Sequence, residues 1–263
     1  MTEIWRALLA AADAGEPVAL ATVVGVNGSA PRASGARMVV WPDGRIVGTI
    51  GGGRFEQVTI EAAIAALKEG RPRRVAVHLT RDLGMCCGGA MEVFVEPIAP
   101  RDRLVVYGAG HVAVPTVAIA VSLGFDVTVV DAREEFATAE RFLGAHVIEG
   151  DPRRHAQGLT PDARTYVLVV THEHALDQDL VEVLLPKAGA WVGMIGSRAK
   201  VARFKVRLLA AGMPEAVFAR LHAPVGVDIG AETPEEIAVS ISAELVRVRR
   251  GVTRAPGMMA QPG

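Results

Sequence analysis

The stretch Arg103-Leu104-Val105-Val106-Tyr107-Gly108-Ala109-Gly110-His111-Val112-Ala113 decides how the second half of this chain reads. Five residues dominated by aliphatic and aromatic side chains form a strand, and Gly-x-Gly-x-x-Ala follows at once, opening a helix over Val112–Leu123. The glycines permit a tight turn and let backbone N–H groups approach a phosphate at the positive helix end. Asp131 closes the next strand, Val127–Val130, about 20 residues on, where a carboxylate accepts from ribose hydroxyls. Two features sit oddly in such a turn. His111 puts an imidazole inside it, and Pro115 falls early in the helix, where its ring strains the preceding carbonyl. A plain βα turn that binds nothing is the alternative.

Outward from this turn the pattern alternates. Helix is expected over Glu134–Phe142, strand over His146–Ile148 and Tyr166–Val170, helix over Leu176–Leu185, strand over Trp191–Ile195 and helix over Ala199–Ala210. Such alternation forces parallel strands with helices on both faces. A last helix, Glu232–Val248, has Thr233 as N-cap, Pro234 at its first position and Glu236 at the capping-box position. The second half is therefore a Rossmann-like, doubly wound parallel-sheet domain.

In such sheets ligands collect at the carboxyl ends of the strands. Three polar segments fall at that rim and are expected to converge on the glycine turn: Thr171–Asp177, Gly193–Lys200 and His222–Gly230. His172, His174 and Asp177 are residue types that ligate zinc or iron, although paired histidines more often simply line a cleft. Ser197, Arg198 and Lys200 at a helix start form an anion cradle or a solvated helix end.

The first half reads as α+β. Helix Ile4–Ala14 places Trp5, Leu8, Leu9 and Ala12 on one face, and a strand covers Val18–Val24. Pro42-Asp43-Gly44 turns a hairpin between Arg37–Trp41 and Arg45–Ile50. Gly51-Gly52-Gly53 leads into a helix, Arg54–Lys68, with Phe55, Val58, Ala62, Ala65 and Ala66 at helical spacing and Gly70 as its stop. Strand-like runs Val75–Leu79 and Met91–Val95 bracket the loop Gly84-Met85-Cys86-Cys87-Gly88-Gly89. The prolines of Glu96-Pro97-Ile98-Ala99-Pro100 predict a break, giving domains over 1–98 and 101–250 with a tail over 251–263.

Composition bounds the function. In 263 residues, 50% are hydrophobic and 22% charged, enough apolar surface to offset ordering entropy, so disorder is excluded. A net charge of −1 and a pI near 6.7 leave no electrostatic footprint for nucleic acid or an anionic membrane surface. The longest apolar stretch, Val112–Leu123, falls short of the roughly 20 residues that span a bilayer. The acidic start does not read as a signal peptide, and the two adjacent cysteines make no ordinary disulfide, so a reducing cytoplasm is the expected location.

Those two thiols, Cys86 and Cys87, lie among glycines that permit close approach and unusual dihedrals. Thiolates select soft metals and reactive sulfur, whereas a structural zinc site needs four ligands. The alternative is a pair of small buried hydrophobes. A second glycine-rich run, Gly28–Arg37, offers the hydroxyls of Ser29 and Ser34 and the guanidinium groups of Arg32 and Arg37, which clamp phosphate or a heterocycle edge.

Several of these runs together resemble a known family. Gly28-Ser29-Ala30-Pro31-Arg32, Ile50-Gly51-Gly52-Gly53-Arg54-Phe55-Glu56 and Met85-Cys86-Cys87-Gly88-Gly89 are similar to the N-terminal domain of the XdhC/CoxI family. The Gly108–Ala113 turn, Thr171–Asp177, Gly193–Arg198 and His222-Ala223-Pro224 match its second half. Phe55, where an aliphatic residue is common, and Pro115 depart from the pattern and leave the motifs intact.

The resemblance implies an accessory chaperone of xanthine dehydrogenase and related molybdenum hydroxylases. Such a chaperone, not itself an enzyme, binds molybdenum cofactor (molybdopterin), supports its sulfuration by a cysteine desulfurase and inserts it into the apo-hydroxylase. Taken together with the residue readings above, the candidate cofactor-binding residues in the first half are Cys86, Cys87, Ser29, Arg32, Gly51, Gly52, Gly53 and Glu56, with both thiols near molybdenum or its incoming sulfur. In the second half they are Gly108, Gly110, His111, Asp131, Arg133, His172, His174, Asp177, Ser197, Arg198 and Lys200. NAD(P) or another nucleotide in the Rossmann-like half, and a homo-oligomer, stay open. The rival readings are an NAD(P)-dependent oxidoreductase using the Gly108 turn with His172 or His174 as acid/base, and a metal-dependent hydrolase built on His172, His174 and Asp177.

Overall fold

The computed structural model describes residues 2–84, 88–187 and 189–252. The chain divides into two compact units, Met1–Pro100 and Arg101–Gly263. None of the described helices is long and apolar enough to cross a membrane.

The first unit is built on a five-stranded antiparallel sheet in the order β3-β2-β1-β5-β4. Its strands are β1 (Val18–Asn27), β2 (Arg37–Val40), β3 (Ile46–Gly48), β4 (Arg73–His78) and β5 (Ala90–Ile98). Helix α2 (Gly53–Glu69) covers one face through Phe55, Thr59, Ala63 and Ala66, and Gly70 ends it with φ +64°. The buried stripe thus takes Thr59 and Ala63 in place of the expected Val58 and Ala62. Thr59 is accommodated because its Oγ donates to the Phe55 carbonyl at 2.9 Å.

Helix α1 (Thr2–Asp13) packs elsewhere through Ile4 and Ala11, with Ala7 and Leu8 half-buried beside them. The expected face is corrected: Trp5, Leu9 and Ala12 are exposed. Both registers satisfy helical spacing, and Gly48 selects between them. The Ile4 Cδ1 lies 2.5 Å from where a Gly48 Cβ would stand, so Ile4 fills a notch that only glycine leaves.

The last strand of the first unit runs further into Glu96–Pro100 than expected, although the two units still part after Pro100. β5 continues through Pro97, which pairs opposite Ala19 of β1. The pairing of β5 with β4 reaches only to Val95, opposite Arg73, so Pro97 has a neighbour on one side only, the edge position that proline tolerates. The unexpected short helix α3 (Leu79–Leu83) follows β4.

The second unit is a six-stranded sheet with every pairing parallel, in the order β11-β10-β9-β6-β7-β8. Its strands are β6 (Arg103–Tyr107), β7 (Asp126–Asp131), β8 (His146–Glu149), β9 (Thr165–Val169), β10 (Trp191–Met194) and β11 (Leu221–His222). The sheet is buried on both faces. Leu104 and Val106 point into one core with α4 (Ala113–Ser122) and α9 (Pro234–Arg249). Val105 and Tyr107 point into the other, shared by α5 (Pro152–Gly158), α6 (His174–Leu184), α7 (Arg198–Ala210) and α8 (Glu215–Phe218). The chain winds outward from β6 to β8 and then returns to β6's other side as β9, which makes the β6/β9 boundary the switch point.

Two expectations fail here. Residues 134–142 hold only a 3₁₀ turn at Ala139–Arg141, because the Phe136 ring is clasped by the guanidinium groups of Arg133 and Arg141 at 4.0 and 4.9 Å. Arg141 also donates to the Phe136 carbonyl at 2.8 Å, which folds the segment back on itself. Pro115 strains nothing, since it lies in the first turn of α4, where an N–H has no intrahelical partner. The capping box at Thr233 and Glu236 forms as expected.

Candidate functional site

In the second unit the glycine turn is held from both sides. Gly108 N–H donates to the Val130 carbonyl at 2.9 Å and Ala109 N–H to Asp131 Oδ2 at 2.7 Å. Gly108 has φ +108°, and a Cβ there would stand 2.5 Å from the Val170 carbonyl oxygen. Its smallness is required by the fold itself. Gly110 is different: a Cβ there meets nothing within 4 Å, so no described neighbour accounts for the glycine. Among the described residues, the N–H groups of Gly110, His111 and Val112 have no acceptor, and His111 is exposed. That is the geometry of an anion seat at the start of α4.

Beside the turn lies a cavity of about 180 Å³ lined by Gly108, Asp131, Arg133, Asp151, Arg153, Thr171, His172 and Glu173. Asp131 is buried and bound twice at each oxygen. Oδ1 accepts from Arg133 N–H (3.0 Å) and Nε (2.9 Å), and Oδ2 from Ala109 N–H and Arg133 Nη2 (both 2.7 Å). Burial pushes its pKa up, but these hydrogen bonds prevail and hold it at about 2.

Asp177 is fully buried. It accepts from Thr171 Oγ1 at 2.7 Å and pairs with the Lys200 ammonium, which also donates to the Ile195 carbonyl at 3.0 Å. Lys200, placed in the anion cradle by its sequence position, is therefore corrected to an interior clamp, 5% exposed, whose stem passes over Gly196. Ser197 caps α7 by accepting Lys200 N–H at 3.2 Å, while Arg198 is exposed. The metal reading of His172, His174 and Asp177 is likewise corrected. Both imidazoles are exposed, Asp177 is turned inward, and among the described residues no group of three His, Cys, Asp or Glu could hold a metal ion.

The three rim segments divide between two cavities and do not all converge on the turn. Ile195, Gly196 and Arg198 line the second, of about 400 Å³, with residues 224–229. Its loop is tied down by Glu244, which sequence reasoning missed. Buried in α9, Glu244 accepts from His222 Nδ1 at 2.7 Å, from Gly226 N–H at 2.6 Å and from Arg247 at 3.2 Å. Burial raises the Glu244 pKa, yet His222, Gly226 and Arg247 together keep it below the usual carboxylate range. The available signal was an acid among the small and aliphatic residues of a helix that packs on the core.

In the first unit the motif runs meet at one corner. Gly89 N–H donates to the Ser29 carbonyl at 3.0 Å, and a Cβ at Gly89 would lie 2.4 Å from that oxygen. A Cβ at Gly51 would lie 2.6 Å from Pro31 Cγ. Glu56 gathers the triple-glycine loop through Thr49 Oγ1 (2.5 Å), Ile50 N–H (3.2 Å) and Gly52 N–H (3.2 Å), so its carboxylate shapes the loop. Ser29 and Arg32 are exposed, and Arg32 borders a groove of about 250 Å³ with Arg37, Gly48 and Thr49. Cys86 and Cys87 lie outside the described residues.

Residues 104–245 match the XdhC Rossmann domain, and residues 11–79 match the XdhC and CoxI family. The chain belongs to the XdhC and CoxI family. Its relatives include an uncharacterized protein, YqeB of Escherichia coli K12, 41% identical over 255 residues (94% of this chain, 46% of that one). A probable xanthine dehydrogenase subunit of Bacillus subtilis is 34% identical over 161 residues (61% of this chain, 47% of that one). This chain thus spans about half the length of those two relatives. The molybdenum cofactor insertion chaperone PaoD of Escherichia coli K12 is 22% identical over 300 residues, covering 94% of this chain and 88% of that one. A crystal structure of a xanthine dehydrogenase from Bacillus halodurans shares the fold, with a TM-score of 0.53 at 24% identity over 95% of this chain and 96% of that one.

Proposed function

We propose that this member of the XdhC and CoxI family is an accessory factor in the maturation of a molybdenum hydroxylase. It holds the molybdenum cofactor, supports its sulfuration by a cysteine desulfurase and hands it to apo xanthine dehydrogenase or a related enzyme. The observation that carries the reading is Gly110. Its missing Cβ leaves an open, glycine-built anion seat that nothing among the described residues fills, in a family with a relative named for cofactor insertion. The cofactor is a pterin bearing a dithiolene-bound metal and a terminal phosphate, so its phosphate end fits a row of free N–H donors.

The N–H groups of Gly110, His111 and Val112 bind that phosphate in this reading, and Asp131 and Gly108 hold the turn in the shape that aims them. The Asp177–Lys200 clamp ties the Thr171 loop, which lines the cavity beside the turn, to the Ile195 loop, which lines the other one. Within the first unit, taken by itself, Ser29 and Arg32 are a hydroxyl and a guanidinium of the kind that binds a heterocycle edge, and Cys86 and Cys87 are thiols of the kind that takes a soft metal or reactive sulfur. When bound, the cofactor supplies the molybdenum centre that the client enzyme uses.

The test is production of the full chain in a molybdenum-replete host, followed by desalting, pterin assay and transfer to apo-hydroxylase with and without a cysteine desulfurase. Retained pterin and reactivation of the client are expected. Absence of both, alongside saturable NAD(P)H binding, would replace this reading with an oxidoreductase.

A further inference from the structure

We infer that the cavity at the ends of β6, β7 and β9 selects a phosphomonoester over a vicinal ribose diol, and that Arg133 sets the selection. The inference deepens the proposed function and rests on it only in naming the cofactor phosphate as one source of the group. It begins with the lone pairs of Asp131. An ionised carboxylate has about four acceptor sites, and a diol-binding acid must keep some of them free. Here the Asp131 side chain is 5% exposed, and four N–H donors occupy both oxygens: two from Arg133's guanidinium, one from its backbone and one from Ala109. No acceptor remains for ribose hydroxyls.

The same bonds prepare a donor. Arg133 gives two of its five guanidinium N–H groups to Asp131, and the rest have no acceptor among the described residues. Stacked 4.0 Å from the Phe136 ring, the guanidinium is held in one plane at the cavity wall, one-quarter exposed. Its charge also cancels that of Asp131, which would otherwise repel any anion on the Gly110 N–H groups.

The lining also carries Asp151, Arg153, His172 and Glu173, and the Arg133 guanidinium lies in the field of Glu173 and Glu135 as well as that of Asp131. Asp151 accepts Arg153 N–H at 2.9 Å, Arg153 Nε reaches Asp179 at 2.7 Å, and Glu173 faces His172 Nε2 at 3.2 Å. A phosphomonoester is the group that the remaining N–H donors of the planar Arg133 guanidinium recognise, and the N–H groups of Gly110, His111 and Val112, just beyond the lining residue Gly108 in the chain, are further donors of the kind an anion takes. It can come from the end of a pterin cofactor or from the 2′-position of an NADP-type nucleotide.

Calorimetric titration of the full chain separates these cases. Adenosine 2′-monophosphate is expected to bind about tenfold or more tightly than adenosine, and NADPH than NADH, the ratio appropriate to a charge-assisted contact. R133Q should erase the ratio and R133K retain part of it, with thermal unfolding checked for both variants. The oxidised pterin of the cofactor, before and after phosphatase treatment, forms the second arm. Phosphate dependence lost in R133Q in either arm supports the inference and identifies the source. Equal binding of NADH and NADPH together with phosphate-independent pterin binding would overturn it, as would R133Q retaining the wild-type ratio, or no phosphomonoester binding at all. Failure of the pterin arm alone counts against the cofactor reading and leaves the selection standing.

Discussion

Two glycines two residues apart have opposite reasons to exist. Gly108 is demanded by the Val170 carbonyl and by φ +108°, so Gly108→Ala should cost about 2–4 kcal/mol in urea unfolding. Gly110 has open space around its Cβ position, so Gly110→Ala should stay within about 0.5 kcal/mol of wild type while weakening anion binding. Lys200 is the other decisive single residue. Lys200→Met leaves Asp177 charged and unpaired in a buried position and should cost about 3–5 kcal/mol, much of it recovered when Asp177 is replaced by Leu in the same chain. Asp131 sets a pH dependence. Its pKa is depressed to about 2, so its stabilisation is fully present above the ordinary aspartate range near pH 4 and fades as pH falls through about 2. The stability gap between wild type and Asp131→Asn, read from urea midpoints, should narrow over that window.

Among the elements, α9 gives the cleanest link from sequence to stability. Thr233→Ala removes the acceptor for Glu236 N–H and should lower stability by about 1 kcal/mol, visible as a lower urea midpoint. That cap was legible because Thr-Pro-Glu-Glu encodes it within four residues. β6 and β9 were legible for a similar reason, since runs apolar on both faces fit only a covered parallel strand. Elements shaped by distant partners were hidden. Residues 134–142 have helical composition, but the two arginines that clasp Phe136 override it, and Pro97 looks like a break until β4 is known to begin only at Arg73, opposite Val95. The candidate site was half legible. The glycine turn and the place of Asp131 at the end of β7 could be read, but the ribose contact expected of Asp131 could not stand once Ala109 and Arg133 fill both its oxygens, and the inward turn of Lys200 and the hold of Glu244 on His222 likewise depend on packing that no local pattern records.

On the scale of the whole molecule, each unit encloses its own apolar clusters, and the second has one on either side of its sheet. A fragment covering 101–252 should therefore unfold cooperatively by circular dichroism, and two overlapping transitions from unit-specific probes in the full chain are the matching expectation. A multistate fragment melt would show that the second unit depends on the first.

The pairing of β1 with β5 fixes a timetable. Val18 of β1 meets Ile98, so the middle strand of the first unit has one flank bare until about 70 further residues have left the ribosome. At roughly 5–20 residues per second that interval lasts several seconds, during which β1 offers nascent chains an unfilled edge. Slowed elongation between the emergence of Asn27 and that of Ile98 from the ribosome should thus raise the burden on ribosome-associated holdases far more than slowing once Ile98 is out.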